Sequence, residues 1–282
     1  MTYFGLMRQG QTKAENKGLE KTAVKSLLLF ASNMSPTEIY THMHDSCPKE
    51  VENKFNELLD EYINKGRPIQ YIIGYTYFYG YKMIVNENVL IPRWETEELA
   101  SNILIYYDRY FKDKKVKVLD IGTGSGAIAI SIAKEEPNMT VKATDISLEA
   151  LEVAKENAKL NEVNVEFSQS DMLNEIKDDE IFDIIVSNPP YLMTTEYVEP
   201  IVKDNEPHVA LFGGEDGLYF YRIILKDARK HLNPNKYMLA FEHGYDKREA
   251  LNSIIKEYYP EAEIINLKDS AGKDRMTFII KE

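Results

Sequence analysis

Two stretches of this chain carry residue types that could do chemistry. The first is Ser187-Asn188-Pro189-Pro190-Tyr191, directly after the apolar run Phe182-Asp183-Ile184-Ile185-Val186. The β-branched content and length of that run suit a buried strand. Two prolines then end it, because each fixes φ at about −65° and lacks an N–H donor. The carbonyls of Asn188 and Pro189 are left without ladder partners, with an aromatic ring alongside. Rigid acceptors beside an aromatic lid are what holding a planar amino group requires. The Asn188 side-chain oxygen and the Pro189 carbonyl can each accept one N–H, and Tyr191 can pack against the group's face. Taken alone, the same residues also describe an Asn-Pro turn that does no more than close a strand.

The second stretch is Asp120-Ile121-Gly122-Thr123-Gly124-Ser125-Gly126, between a predicted strand and a predicted helix. Glycines let the chain turn sharply and let a ligand lie against bare backbone. At the carboxyl edge of a doubly wound sheet this is where a nucleotide-like ligand binds. With Ala127 the loop also matches the dinucleotide pattern, so by itself it does not separate a dehydrogenase from a methyltransferase. Asp145 ends the next predicted strand, 23 residues after Gly122, and suits a ribose-hydroxyl acceptor in either case. Asp171 follows the third strand, where a carboxylate could accept from an adenine amino group with Met172 packed on the ring. Each aspartate also reads as a solvated helix cap. An acid at Asp120, immediately before the loop, favours a ligand carrying a cation over one carrying a pyrophosphate. A sulfonium with an amino-acid tail meets that description, and S-adenosylmethionine is the expected cofactor.

These residues need elements to position them. From Lys115 onward strands and helices alternate: Val116 to Ile121, a helix from about Gly126 to Lys134, Thr140 to Asp145, and a helix capped by Ser147. Further strands are expected at Val163 to Phe167, Phe182 to Ser187 and Tyr237 to Glu242. The helix Leu218 to His231 precedes the last of these, and a helix at Asp246 to Tyr258 follows it. The chain closes on the strands Ile264 to Leu267 and Met276 to Ile280, expected antiparallel to each other. This alternation implies an open, mostly parallel sheet with helices on both faces. Ahead of it, the first dozen residues read as frayed. Lys13 to Met34 reads as one amphipathic helix, a capping box at Ser35 to Glu38 opens a second, and Pro48 to Gly66 holds a third. This small bundle is either a packing module or a docking surface, and docking is the reading taken. Tyr75 to Ile91 carries a β-hairpin signal with Asn86-Glu87-Asn88 at its turn.

Composition narrows the class. A chain of 282 residues can bury a sizeable core, and 44% hydrophobic with 28% charged residues is ordinary for a globular protein. The single cysteine, Cys47, excludes an internal disulfide framework and a cysteine zinc site, and the five histidines are scattered, so no metal is expected. With no apolar run of membrane-spanning length and no basic-apolar leader, a cytoplasmic protein is expected. A net charge of −12 works against sequence-independent attraction to nucleic acid, so no direct nucleic-acid partner is expected.

The glycine loop, Asp145, Asp171 and Asn188-Pro189-Pro190-Tyr191, in this order, resemble the seven-stranded S-adenosylmethionine methyltransferases that act on planar amino nitrogens. Asn-Pro-Pro-Tyr is shared by adenine- and glutamine-modifying members and does not choose between them. Other stretches do. Pro68-Ile69-Gln70-Tyr71-Ile72-Ile73-Gly74, Phe78-Tyr79-Gly80 and Leu90-Ile91-Pro92-Arg93-Trp94-Glu95-Thr96-Glu97 resemble the peptide-chain release factor glutamine methyltransferases, the HemK/PrmC family. So do Pro207 to Leu211, Gly213-Gly214-Glu215-Asp216-Gly217-Leu218, Glu242-x-Gly244, and Asp269 with Gly272-Lys273-Asp274-Arg275. The match covers nearly the whole chain. Trp94 stands where the family usually has proline and Lys247 where it usually has glutamine, departures that touch local packing and not the acceptor motif.

The resemblance implies an α/β fold: a Rossmann-like seven-stranded methyltransferase sheet over residues 93–282, a helical substrate-docking domain over 1–70 and a linking hairpin over 71–92. It implies methyl transfer to the side-chain amide of the glutamine in the Gly-Gly-Gln loop of class 1 release factors by a monomer that touches no membrane. The implied catalytic residues are Asn188, Pro189 and Tyr191. The implied cofactor contacts are Asp120, Gly122, Thr123, Gly124, Ser125, Gly126, Asp145, Asp171, Met172 and Asn188. Arg93 and Glu97 join Asn188, Pro189, Pro190 and Tyr191 around the substrate. The alternatives are an adenine methyltransferase acting on nucleic acid, which needs a basic channel, action on a glutamine of another translation protein, and a catalytically silent adaptor.

Overall fold

The computed structural model describes residues 1–282 and divides into two compact units, Met1–Tyr75 with Val198–Asn205, and Thr76–Tyr197 with Glu206–Glu282. The first unit holds α1 (Tyr3–Asn16), α2 (Lys21–Ser32), α3 (Pro36–Thr41), α4 (Lys49–Ile63), α5 (Ile69–Ile73) and, from much later in the chain, α9 (Pro200–Lys203). The residues expected to fray are α1. The Thr2 hydroxyl accepts from the Gly5 N–H at 3.1 Å, and Tyr3 and Leu6 are buried, so the segment is capped and anchored. The single helix expected over Lys13 to Met34 is interrupted at Lys17-Gly18, where the chain turns between α1 and α2.

The capping box opening α3 is present in both directions. Ser35 N–H donates to Glu38 Oε2 at 2.8 Å, and Glu38 N–H donates to Ser35 Oγ at 3.2 Å. Leu6, Val24, Leu27, Leu28 and Phe55 fill this unit's core at 1% exposure or less. Each contributes roughly 1.5–3 kcal/mol by leaving water. Ile201 packs on the same core, and the Asn205 side chain donates to the Gly66 carbonyl at 3.0 Å.

The second unit begins within β1 (Tyr75–Phe78), which forms a hairpin with β2 (Tyr81–Ile84). Its turn is Tyr79-Gly80, both at positive φ (54° and 81°), and not the Asn86 to Asn88 segment expected. A two-residue turn with both positions left-handed matches the strand twist, which a longer loop further along would not do as tightly. Then follow α6 (Trp94–Tyr110), β3 (Val116–Ile121), α7 (Ala127–Glu135), β4 (Met139–Asp145), α8 (Leu148–Leu160), β5 (Glu166–Gln169) and β6 (Ile184–Ser187). The chain continues through α10 (Tyr219–Ala228), β7 (Tyr237–Glu242), α11 (Arg248–Tyr258), β8 (Glu263–Lys268) and β9 (Asp274–Lys281).

The seven strands run in the order β5-β4-β3-β6-β7-β9-β8. All neighbours pair in parallel except β9, which is antiparallel to both β7 and β8. Alternate residues feed two cores. Val118, Ile184, Val186, Met238 and Ala240 face the side covered by α6 and α7, while Leu119, Ile121, Ile185, Leu239 and Phe241 face the side of α10 and α11. The order reverses between β3 and β6, and at such a switch point the connections leave to opposite faces and open a crevice at the carboxyl ends of the strands. No helix is long and apolar enough to cross a membrane.

Candidate active site

The crevice lies where the strand order reverses. Beyond β3 the loop is pinned to the end of β4, because Gly122 N–H and Thr123 N–H both donate to the Thr144 carbonyl at 2.9 Å. Gly122 and Gly124 sit at φ 71° and 56°, and a Cβ on either would meet nothing within 4 Å. Bare backbone therefore faces open space, as the sequence pattern requires. A cavity of about 850 Å³, open mouth included, lies against this loop. Gly122, Gly124, Asp145, Asp171, Met172, Asn188, Pro189 and Pro190 line it together, with Leu90, Ala150 and Phe220 supplying apolar wall.

Asp145 does more than face the cavity. Its Oδ2 accepts from Gly124 N–H at 2.8 Å and its Oδ1 from Ser147 N–H at 2.9 Å, so one carboxylate joins the glycine loop to the cap of α8. Burial raises its pKa against these backbone hydrogen bonds. Asp171 is exposed at the rim, and Met172 is buried in a left-handed conformation at φ 51°. Asp120 lies beneath the loop at 1% exposure. Its Oδ2 accepts from the Thr123 hydroxyl at 2.6 Å, and its Oδ1 is buried with no hydrogen-bond partner. Burial pushes its carboxyl up to about 7. Ser125 and Gly126 are turned from the cavity into the start of α7.

At β6 the acceptor motif is held from three directions. Ser187 Oγ donates to the Ile121 carbonyl at 2.7 Å, tying β6 to β3. The segment after Pro207 straps the motif, with Leu192 N–H donating to Leu211 O at 3.0 Å and Gly213 N–H donating to Leu192 O at 2.8 Å. The fit is close enough that a Cβ on Gly213 would stand 2.3 Å from the Pro190 carbonyl, and one on Gly217 2.3 Å from the Tyr191 carbonyl. Behind the motif, Asn188 Nδ2 donates to Thr96 Oγ1 at 3.1 Å. Thr96 in turn donates to Glu242 Oε2 at 2.7 Å, and Tyr191 donates to Glu242 Oε1 at 3.2 Å. The Asn188 side-chain oxygen and the Pro189 carbonyl engage no other group of the chain.

Besides Asp120, Thr123, Ser125 and Gly126, three further expected site residues stand apart from the cavity. Tyr191 directs its hydroxyl back to Glu242, and burial raises that hydroxyl's pKa. Arg93 pairs with the buried Glu206 at 2.5 Å, and Glu206 also accepts from Ile91 N–H at 3.1 Å, so this arginine fixes the entry to α6. Glu97 lies half-buried in the first turn of α6.

Thr96, Glu242 and Asn157 carry no catalytic or binding expectation from the sequence; Thr96 reads there as a candidate helix cap, a position the structure gives to Arg93. Asn157 is fully buried, accepting from Ile84 N–H at 2.6 Å and donating to Ile84 O at 3.0 Å and Ser125 O at 2.9 Å. It thereby joins the hairpin to the glycine loop. A polar residue on the apolar stripe of α8, with Ala150, Leu151, Ala154 and Ala158, is the signal that could have found it. For Glu242 the signal is a carboxylate ending a strand whose six residues are all buried.

The donor set fits S-adenosylmethionine: a buried carboxylate at Asp120 with one oxygen unpartnered, open space above Gly122 and Gly124, an apolar slot beside Met172, and acceptors at Asp145 and Asp171. The antiparallel strand inserted between β7 and β8 also departs from the all-parallel dinucleotide-binding order. Fold and site together define the class of S-adenosylmethionine-dependent methyltransferases.

Residues 6–74 match the PrmC N-terminal domain and residues 97–208 the methyltransferase small domain. The chain is 39% identical to the release factor glutamine methyltransferase of Bacillus cereus over 99% of each chain. It is 38% identical to that of Bacillus subtilis over 97% of this chain and 96% of the other. A solved methyltransferase from Pyrococcus furiosus superposes with a TM-score of 0.51 at 26% identity, covering 72% of this chain and 89% of its own. The chain belongs to the release factor glutamine methyltransferase family.

Proposed function

We propose that this protein methylates the side-chain amide nitrogen of the glutamine in the Gly-Gly-Gln motif of class 1 peptide-chain release factors. The observation that carries this reading is the pair of free acceptors, Asn188 Oδ1 and the Pro189 carbonyl, on the wall of the cofactor cavity. S-adenosylmethionine, when bound, supplies an electrophilic methyl group on its sulfonium. Asp120 would face the cationic amino-acid end, Asp145 the ribose hydroxyls, and Asp171 with Met172 the adenine. An amide nitrogen is a poor nucleophile because its lone pair is delocalised. Accepting its two N–H groups at Asn188 and Pro189 turns the nitrogen toward the methyl-donor cleft and favours pyramidal geometry. No strong base is required, because the proton can leave once positive charge has developed on nitrogen. Positioning is then the main contribution, worth up to about 7–11 kcal/mol in favourable geometries.

The first unit, with its match to the PrmC N-terminal domain, is read as the element that docks the release factor. Crosslinks from a bound release factor that fall only on the sheet unit would remove that part of the reading. A substrate used in translation places the enzyme in the cytoplasm. The central test is Asn188→Ala. Cofactor affinity by calorimetry should stay near wild type, while turnover on intact release factor falls about 10²-fold or more, the size seen when one positioned polar group is lost. Methylation by this variant at the wild-type rate would end the acceptor reading.

A further inference from the structure

We infer that Thr96 and Glu242 are positioning residues that fix which way the Asn188 carboxamide faces, and so select a substrate group that donates hydrogen bonds. The inference rests on the reading of Asn188 as an amide acceptor. In its carboxylate form Glu242 only accepts, and its two oxygens receive the hydroxyl protons of Thr96 at 2.7 Å and Tyr191 at 3.2 Å. The one proton of Thr96 is then committed, so toward its other neighbour the Thr96 oxygen can only accept. That neighbour is Asn188 Nδ2, at 3.1 Å.

A carboxamide has one donor end and one acceptor end. Anchoring the donor end inward leaves Oδ1 directed away from Thr96, where it joins the Pro189 carbonyl as a pair of acceptors. Turned over, Asn188 would set its oxygen against the Thr96 oxygen with no proton between them and would present an NH2 group to the substrate. A site in that state would favour a carboxylate or carbonyl. In the observed state it favours an amide N–H over the isosteric carboxylate, which is the choice between glutamine and glutamate.

The relay runs in this direction while Glu242, 1% exposed, is a carboxylate, the form that the two hydroxyl donors and the Arg275 guanidinium favour against burial. Burial raises the pKa of Glu242, opposed by the Thr96 hydroxyl, the Arg275 guanidinium and the Tyr191 hydroxyl, with Glu95 adding repulsion. The three relay residues come from the first turn of α6, the end of β7 and the end of β6, separated by 92 and 146 positions along the chain.

The test is a double-mutant cycle on kcat/KM for intact release factor, with Thr96→Val, Asn188→Ala and the double variant, and cofactor affinity measured in parallel. Thr96→Val should lower kcat/KM about tenfold or more, as expected when a hydrogen bond is lost and the amide is free to turn. It should leave cofactor affinity within about twofold, and it should cost almost nothing in the Asn188→Ala background. Thr96→Ser, which keeps the hydroxyl, should retain nearly full activity. Equal loss in both backgrounds, or wild-type kcat/KM in Thr96→Val beside an impaired Asn188→Ala, overturns the inference. Should Thr96→Val fail to fold, Thr96→Ser decides, because a loss matching Asn188→Ala with cofactor affinity intact would show that the hydroxyl is not the determinant. An unimpaired Asn188→Ala would instead end the acceptor reading itself, so the two failures are distinct.

Discussion

Asp120 is held by the fold so that its carboxyl keeps a proton at mildly acidic pH, where free aspartate has lost it. Its carboxyl is 1% exposed, with one oxygen on the Thr123 hydroxyl and the other without a partner. Desolvation pushes its pKa from 3.8 up to about 7, the Thr123 hydrogen bond opposing and the charge of Asp145 adding. In the unfolded chain the group ionises near its ordinary value. Between about pH 4 and 7 the folded protein therefore holds a proton that the unfolded chain has lost, and stability must fall as pH rises. The contribution is full below this window and gone above it. About three pH units at about 1.4 kcal/mol each gives roughly 4 kcal/mol.

Asp120→Asn removes the titration while keeping the shape. Urea unfolding of cofactor-free wild type and variant across this range should give a difference in stability that moves in the variant's favour by that amount as pH rises. Parallel curves would refute the reasoning. A bound cation at Asp120 would favour the carboxylate, so cofactor binding below neutral pH should release a proton, read from calorimetry in buffers of different ionisation enthalpy.

Two further outcomes follow from packing and charge. Gly213→Ala would place a methyl group 2.3 Å from the Pro190 carbonyl, so the strap or the acceptor motif must move. Thermal melting should show a loss of about 1–3 kcal/mol with reduced turnover, and an unchanged protein would mean the strap yields without disturbing the site. Arg93→Ala leaves Glu206 as a buried carboxylate held only by Ile91 N–H and should cost about 3 kcal/mol, discounted because the arginine is itself 36% exposed. Arg93→Ala combined with Glu206→Gln should recover most of that loss, and failure to recover it would show that Arg93 acts through something other than this pair.

The parts of the fold legible in the sequence are those whose local pattern and tertiary environment agree. The runs that become β3, β6 and β7 are β-branched or apolar because both of their faces are covered. The capping box at Ser35 is a contact between residues three apart and needs nothing else. The helix break at Lys17-Gly18 was missed because amphipathic spacing runs through it. The hairpin turn was misplaced because Tyr79 takes a left-handed backbone that its residue type does not advertise. The resemblance implied Arg93 as a substrate contact, and only the fold brings Glu206 to it from 113 positions away.

What the sequence determined by itself was the chemistry on offer: a glycine loop after a buried strand, aspartates ending successive strands, and two stiff acceptors at Asn188 and Pro189. These are local facts, fixed by residue type, backbone restriction and period. Tertiary structure decided which of those groups share a cavity and which way they face. The outward oxygen of Asn188 depends on Thr96, and Thr96 depends on the carboxylate of Glu242. An amide placed alone on a strand end has no preferred face. The preference arises because three distant segments meet in a buried space where each proton can be donated only once and an unpaired polar atom is expensive.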